Sequence, residues 1–542
     1  MSNHQKNSET APQREGTREL TRFASIFAGG TMISRVLGLV RDMVFAHAVP
    51  GAPLGAFLFA FSLPNMLRDM LGEGAVNAAL VPVFSATRES CSEQEYRRAV
   101  ASVMSLMLLV FAVLTVAGIL LMPLTPAALN ALRPFTGRAL PQSDAELSEL
   151  VRLMQWTFPY LFFIGAAVFA MAPLFVARRY GTPSWTPVLL NVAFIACALG
   201  LRHHFENPAW ALVIGVWLGG IAQMGVLWWD MFRHVGVVWP SFNLRHTAVA
   251  QTVWLLMPVI FGQAAGEVNK LVDRFFAMSL GEEKVLALYI SNRLVQLPLA
   301  VFGVAVAVAV LPALSKAHTQ GDEAQQRSVM LFGLRQSFFL TLPAMAALIV
   351  LRVPIIRLLF ERGEFGAVAT EQAAGALFYA AMGLVSFAWV KVLVQGFYAR
   401  HDTRTPVIVA ACSMALNIAL NLALVRPMGY QGLALSTSLS FTVNFVMLYI
   451  LLNRRGGRLR DAPFVRALLV MIVGAATLGA TAHYSAMALV HLLDTTTLAA
   501  RLMTVAGASL TGGLAYAGVC MLFSLPELQM LRRRIPGRHR GE

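Results

Sequence analysis

The stretch MISRVLGLVRDMVFA, Met32–Ala46, decides how the whole chain is read. It is apolar enough to be the middle of a membrane helix, yet it contains Arg35, Arg41 and Asp42. On insertion scales an Arg or Asp at the centre of a spanning helix costs about 2.5–3.5 kcal/mol, so each needs a partner or a wet cavity. Helical spacing arranges these charges. Arg35 and Asp42 are seven residues apart and share a face, with Gly38 between them, while Ser34 and Arg41 share the neighbouring face by the same spacing. One polar stripe therefore runs along this helix, and Gly38 leaves space beside it.

The rest of the chain supports the membrane reading. Of 542 residues, 57% are hydrophobic and 13% charged, and the mean hydropathy is +0.64, too apolar for an ordinary soluble domain. Apolar runs of spanning length recur at about 23–48, 54–86, 98–124, 151–177, 184–201, 208–232, 247–279, 286–315, 329–351, 372–399, 405–425, 430–452, 463–485 and 499–523. The expected fold is an all-α polytopic membrane protein of fourteen transmembrane helices. Pro64, Gly72, Gly74 and Pro298 fall inside long runs and predict kinked or broken helices. The formal net charge of +15 does not indicate nucleic acid, because basic residues cluster in short connections rather than on one surface. With a cytoplasmic amino terminus, Lys and Arg concentrate on the cytoplasmic side, and NRRGGRLRD and the tail LRRRIPGRHR both fall inside. Both read as topology signals, with an anionic-lipid site as the alternative. Residues 1–22 lack the apolar core of a cleaved signal peptide.

LVRDMVFA in the first span echoes LVDRFFA in the seventh, and LVPVFS closing the second echoes VLPALS closing the eighth. The six-span offset predicts two six-helix lobes related by a pseudo-two-fold, with two extra C-terminal helices outside the repeat. The boundaries that follow are a cytoplasmic segment 1–22, an N-lobe 23–232, a cytoplasmic connection 233–246, a C-lobe 247–452, the extra pair 453–523 and a basic cytoplasmic tail 524–542. The segment RVPIIRLLFERGEFGAVATEQ after the ninth span reads as an interfacial amphipathic helix.

The charged pattern repeats in the second span. In LPNMLRDMLGEGA, Asn65, Arg68 and Asp69 are at i, i+3 and i+4, and Glu73 lies one turn further. The seventh span adds Glu267, Lys270, Asp273 and Arg274, and the eighth Asn292 and Arg293. One reading makes these internal ion pairs, Arg35 with Asp42 and Arg274 with Asp273 or Glu267. The other starts from the excess of arginine over neighbouring carboxylates at Arg35, Arg41, Arg68 and Arg293. A planar guanidinium stays charged in low dielectric and binds phosphate oxygens bidentately, so the missing anion is a phosphate or diphosphate. Enzymatic signatures are lacking: there is no Gly-rich phosphate loop, no acyltransferase His-x-x-x-x-Asp, no Asp-x-Asp pair and no zinc spacing. The four cysteines show no paired or metal-type spacing, and the eleven histidines lie mostly in connections or at span ends. With nothing to cradle ATP, the energy source is expected to be an ion gradient, the membrane potential or consumption of the product.

The motifs SRVLGLVRD, AFSLPNMLRDMLGEGA, TPSWTPVLLN, FERGEF and KVLVQGFYARHDTRTP, in order from about residue 20 to 525, resemble the MurJ/MviN family. These are the bacterial lipid II flippases of the multidrug/oligosaccharidyl-lipid/polysaccharide exporter superfamily. The resemblance implies a transporter, not an enzyme, located in the bacterial inner membrane with both termini cytoplasmic. Its substrate would be the undecaprenyl-diphosphate-linked peptidoglycan precursor, moved to the periplasmic leaflet by alternating access for cell wall synthesis. The peptidoglycan synthesis machinery is the implied further partner, and the last two spans would form a groove for the lipid tail. By motif, Ser34, Arg35, Arg41, Asp42, Asn65, Arg68, Glu73 and Arg293 match substrate-cavity positions, with Arg41, Arg68 and Arg293 foremost for the diphosphate. No cofactor is required. Some members bind sodium at positions matched here by Asp273, Asn417, Asn421 and Thr437, but Asn421 stands where the sodium-binding pattern has a carboxylate. A sodium site and a structural polar cluster both remain open there. Gly55, Asn292 and Gln296 also stand where members carry acidic residues, which leaves the cavity more basic. The alternatives are export of another polyprenyl-diphosphate glycan or a lipophilic drug, and, from a different class, a membrane-embedded glycosyltransferase.

Overall fold

Polar residues placed immediately before apolar runs set where the helices of this chain begin. Ser143 and Glu146 form a reciprocal capping box, Ser143 N donating to Glu146 Oε2 at 2.7 Å and Glu146 N to Ser143 Oγ at 3.3 Å. Asp322, Asp461 and Thr497 accept from the backbone N–H of Gln325, Phe464 and Ala500. Each cap satisfies a donor that the first helical turn cannot pair, which matters at the edge of a solvent that offers no hydrogen bonds.

The computed structural model describes residues 33–71, 79–137, 142–241, 243, 245–456, 459–493 and 497–528. Among them every extended element is a helix, apart from an isolated bridge between Arg362 and Phe365. In chain order these are α1 (33–48), α2 (Gly51–Leu71), α3 (Val81–Ser90), α4 (Glu93–Leu121), α5 (Thr125–Asn130), α6 (Arg133–Thr136), α7 (Asp144–Thr157), α8 (Tyr160–Val176), α9 (Gly181–Gly200), α10 (Ala209–Val235) and α11 (Thr247–Ser279). There follow α12 (Glu282–Pro298), α13 (Ala305–Thr319), α14 (Glu323–Val350), α15 (Arg352–Leu359), α16 (Ala367–Met382), α17 (Leu384–Tyr398), α18 (Arg404–Met428), α19 (Tyr430–Gly456), α20 (Ala462–Leu492) and α21 (Leu498–Leu522).

Eleven of the described helical segments are long and apolar enough to cross a bilayer, which makes the chain a multi-pass membrane protein. They correspond to eleven of the fourteen expected spans. Of the other three, runs 23–48 and 54–86 extend into residues outside those described, and among the described residues of α11 Thr247–Ile260 forms a shorter apolar stretch.

Several expected single spans are broken, each for a visible reason. The run at 151–177 begins earlier, at Asp144, and divides into α7 and α8 at Phe158 and Pro159, where proline has no N–H to continue the ladder. The run at 372–399 divides into α16 and α17 at Gly383, whose absent Cβ would stand 2.8 Å from Ser438 Oγ. After Pro298, α12 passes through a π-helical turn, Leu299–Val304, before α13, the kink that an internal proline predicts. The segment after the ninth span is the short helix α15 and a turn, with Ile356 and Phe360 fully buried beneath it.

The chain forms two compact units, residues 1–130 with 142–271, and residues 131–141 with 272–542, so the change of unit falls inside α11. Within the first unit α9 packs on α10, α8 on α4 and α10, and α2 on α7. Close approach of α4 and α8 needs glycine: a Cβ on Gly165 would lie 2.3 Å from the Phe111 ring, and one on Gly118 would lie 1.9 Å from the ring of Phe158. Within the second unit α20 pairs with α21, α18 with α19, and α14 with α17 and α20. Leu469, Ile472 and Val473 of α20 and Leu510 and Leu514 of α21 are at least half exposed, as lipid-facing side chains are.

Candidate substrate-binding site

The stripe on α1 is real, but its pairing differs from simple helical spacing. Asp42 is buried and takes Arg41, its chain neighbour, rather than the expected Arg35: Arg41 Nε and Nη2 both donate to Asp42 Oδ1, at 3.0 and 2.7 Å. Successive residues on a helix point about 100° apart, so this contact needs the long arginine side chain to fold back over its own turn. A residue 150 positions away completes the hold. Arg41 Nη1 donates to Asn191 Oδ1 at 3.1 Å, and Asn191 Nδ2 donates to the Pro187 carbonyl and, at 3.4 Å, to that of Ser34. The guanidinium also lies 5.5 Å from the ring centroids of both Phe45 and Phe194. Arginine on two aromatic faces, with a carboxylate and an amide at its edge, is a charge fixed in direction. Its side chain keeps 13% exposure.

On α2, Arg68 repeats the arrangement in a more open form. Its Nε and Nη2 donate to Asp69 Oδ1 at 3.1 and 2.6 Å, and Asn65 Nδ2 approaches Asp69 Oδ2 at 3.5 Å. Arg68 and Asp69 side chains are 31% and 38% exposed. Between the two arginines lies an aromatic wall: Phe61 packs on Phe194 at 5.7 Å and on Tyr160 at 5.3 Å, and Tyr160 is within electrostatic reach of Arg68 and Arg41 alike. The structure thus brings Arg41, Asp42, Arg68 and Asn65 to one region of the first unit. Arg35 is exposed and Ser34 half-buried on α1. Glu73 lies outside the described residues. Arg293 is half-buried on α12, in the second unit, with exposed Asn292 beside it.

The four positions considered for a cation converge in the second unit. Asn421 Nδ2 donates to Asp273 Oδ1 at 2.5 Å and to Asn417 Oδ1 at 3.0 Å. Thr437 Oγ1 donates to Asp273 Oδ2 at 3.2 Å, Asn417 Nδ2 approaches Thr437 Oγ1 and Ser440 Oγ, and Ser436 Oγ donates to Asn421 Oδ1. Asn417 and Asn421 are fully buried. Asn421 Nδ2 faces Asp273 and Asn417 while its Oδ1 accepts from Ser436 Oγ, so the two ends of the amide have separate partners. That NH2 group therefore stands between Asp273 Oδ1 and Asn417 Oδ1, where a hard cation would otherwise bridge two oxygens. Each of the four residues has a hydrogen-bond partner within the cluster. Neither Asn191 nor Ser436 was assigned a role from sequence. Asn191 closes the motif TPSWTPVLLN, which was its one local signal.

The family model described as "Lipid II flippase MurJ" matches residues 50–504. A probable lipid II flippase MurJ of Vibrio cholerae is 36% identical over 443 residues, 81% of this chain and 84% of that protein. The one from Haemophilus influenzae is 36% identical over 77% of this chain and 83% of its own length, and the lipid II flippase MurJ of Burkholderia cenocepacia is 30% identical over 85% and 89%. Among solved structures, a lipid II flippase MurJ in an inward closed conformation aligns with a TM-score of 0.73 and 22% identity, covering 92% of this chain and 98% of that one. An inward-facing multidrug MATE transporter aligns at 0.64 with 14% identity, covering 80% and 98%, so both structures speak for the fold alone. The extent of the family match and the identity to these relatives establish that the chain belongs to the MurJ family, a family of membrane transporters.

Proposed function

We propose that this chain is a lipid II flippase of the bacterial inner membrane. It carries the undecaprenyl-diphosphate-linked peptidoglycan precursor from the cytoplasmic to the periplasmic leaflet, with both termini cytoplasmic. The observation that carries the reading is the family match across residues 50–504. The site chemistry supports it. Arg41 is pinned by Asp42, Asn191 and two aromatic rings, so little conformational entropy is lost when it meets an anion. Arg68, more open, presents its guanidinium to the diphosphate, with Arg293 and Arg35 adding charge from their own helices. Ser34, Asp42, Asn65 and Glu73 complete the set of substrate-binding positions. The arginines replace hydration that the diphosphate loses, while the polyprenyl tail stays in lipid, held along α20 and α21. Alternating access between the lobes 23–232 and 247–452 moves the headgroup, and periplasmic peptidoglycan polymerisation removes the product.

The cluster around Asp273 acts in this scheme as a packing element that holds α11 to α18 and α19 without bound sodium. Its argument is the Asn421 NH2 group between the two oxygens.

The test is leaflet accessibility of fluorescent lipid II in liposomes containing the purified chain. Wild type is expected to expose the inner-leaflet pool. Arg68→Ala and Arg293→Ala are expected to slow this at least about tenfold, the loss of one charge-assisted contact. Wild-type rates in both variants would refute the diphosphate role, and polymerised glycan in the product would instead indicate a glycosyltransferase. Transport of lipophilic dyes that lipid II fails to compete would indicate a drug exporter.

A further inference from the structure

At one end of the second unit, where the bilayer-crossing helices α14, α17 and α19 terminate, a shallow, solvent-open pocket lies between them. Met330, Leu452 and Leu459 form its apolar floor; Gln326, Arg327 and Arg400 supply its polar lining. The two guanidiniums are half-buried, and among the described residues neither forms an ion pair. Their hydrogen-bond partners are neutral. Arg400 Nε donates to Gln326 Oε1 at 3.3 Å, and Arg327 Nη2 donates to the Arg460 carbonyl at 3.1 Å. Arg327 Nε is buried and has no hydrogen-bond partner among the described residues. Asp402 accepts from the backbone and hydroxyl of Thr405 and from Arg455, Asp461 and Asp322 cap helices, and Glu323, one turn before Arg327 on α14, is exposed and forms no ion pair with it.

Two half-buried arginines that form no ion pair among the described residues, one with an unpaired donor, offer their forks to an anion. The forked donors suit the oxygens of a phosphate group better than a single-point acceptor. We propose that this pocket binds one phosphate group at the bilayer surface, through Arg327 and Arg400. Its place at the ends of apolar helices, above an apolar floor, favours the phosphodiester of an anionic phospholipid; inorganic phosphate offers the same chemistry from solution. The site is separate from the arginines of α1, α2 and α12 and does not depend on the transport reading. It also gives the basic connection NRRGGRLRD, whose Arg460 carbonyl anchors Arg327, a role besides topology.

Native mass spectrometry of the full chain, released from nanodiscs of phosphatidylcholine and phosphatidylglycerol in equal amounts, tests the lipid arm. Wild type is expected to retain phosphatidylglycerol about tenfold over phosphatidylcholine, and Arg327→Gln with Arg400→Gln to lose that preference. Arg454→Gln, an exposed arginine outside the pocket, is expected to keep it. The second arm measures thermal unfolding in detergent with inorganic phosphate against chloride at matched ionic strength. A phosphate-specific rise lost in the double variant, without lipid preference, assigns the site to a soluble anion. No preference and no rise in wild type, or both unchanged in the double variant, overturns the proposal. If the double Gln variant fails to fold, Arg327→Lys with Arg400→Lys replaces it: charge without the fork is expected to retain only part of the preference, and full retention counts against the site.

Discussion

At the scale of single residues, Asn191 decides what Arg41 can do. Without the Asn191 Oδ1 acceptor, one face of the guanidinium loses its fixed partner, and the tie from α9 to the Ser34 carbonyl is lost with it. A hydrogen bond to a charged group contributes about 1.5–3 kcal/mol, so Asn191→Ala is expected to lower thermal stability by that order. Transport of lipid II should fall as well, because Arg41 keeps Asp42 but loses the contact that fixes its direction. Asn191→Asp is the sharper variant. It keeps the acceptor but places a second carboxylate on Arg41, neutralising the charge meant for the diphosphate. Stability should fall too, because a carboxylate oxygen then faces the Pro187 and Ser34 carbonyls to which Asn191 Nδ2 donates, and transport should fall further than in Asn191→Ala, as read by unfolding temperature and liposome accessibility. Wild-type transport in both variants would show that Arg41 plays no part in the substrate path.

At the scale of elements, the connection between α17 and α18 carries a pH-sensitive brace. Asp402 accepts from the Thr405 hydroxyl at 2.7 Å and from its N–H at 3.0 Å, and Arg455 of α19 adds a further ion pair. These hydrogen bonds, Thr405 first and Arg455 after, hold the Asp402 carboxyl down from its ordinary 3.8 to about 2. A carboxylate with a depressed folded value stabilises fully above its unfolded value, and that stability is lost as pH falls through the folded one. The brace is therefore complete above about pH 4 and released between pH 4 and pH 2. The unfolding temperature of wild type should exceed that of Asp402→Ala at pH 6 and converge with it towards pH 2. A constant gap across that window would assign the contribution to packing instead.

At the scale of the whole molecule, what was legible in the sequence is what depends on local composition. The run expected at 208–232 is α10, Ala209–Val235, and that at 184–201 is α9, Gly181–Gly200, because length and hydropathy alone determine a spanning helix. Breaks at Phe158–Pro159 and Gly383 were harder, since a membrane helix tolerates Pro and Gly wherever a neighbour satisfies the freed groups. The partners of the charges were not legible. Arg41 and Asn191 are 150 residues apart, and helical periodicity contains no information on which distant helix faces a given stripe. For the same reason Asp42 was matched by spacing with Arg35, whereas a flexible arginine reached it from the adjacent position.

The energy source also belongs to this scale, and Asn421 gives it a definite test. With its NH2 group donating to Asp273 Oδ1 and Asn417 Oδ1, the oxygens a sodium ion would need are already satisfied, and only one carboxylate is present to attract it. Wild type is expected to transport lipid II at the same rate in sodium and in potassium media, and to show no sodium-specific change in unfolding temperature. Asn421→Asp removes the internal donor and supplies a second negative oxygen ligand. Two carboxylates this close repel each other unless a cation joins them, so that variant should be less stable in potassium and recover in sodium. At a sodium concentration a hundredfold above the dissociation constant the recovery amounts to about 2.7 kcal/mol. A sodium-specific rise in wild type would reverse the assignment and make the cluster a coupling site. Equal behaviour of the variant in both salts would show that its geometry cannot close around an ion, leaving the membrane potential or product removal to drive the cycle.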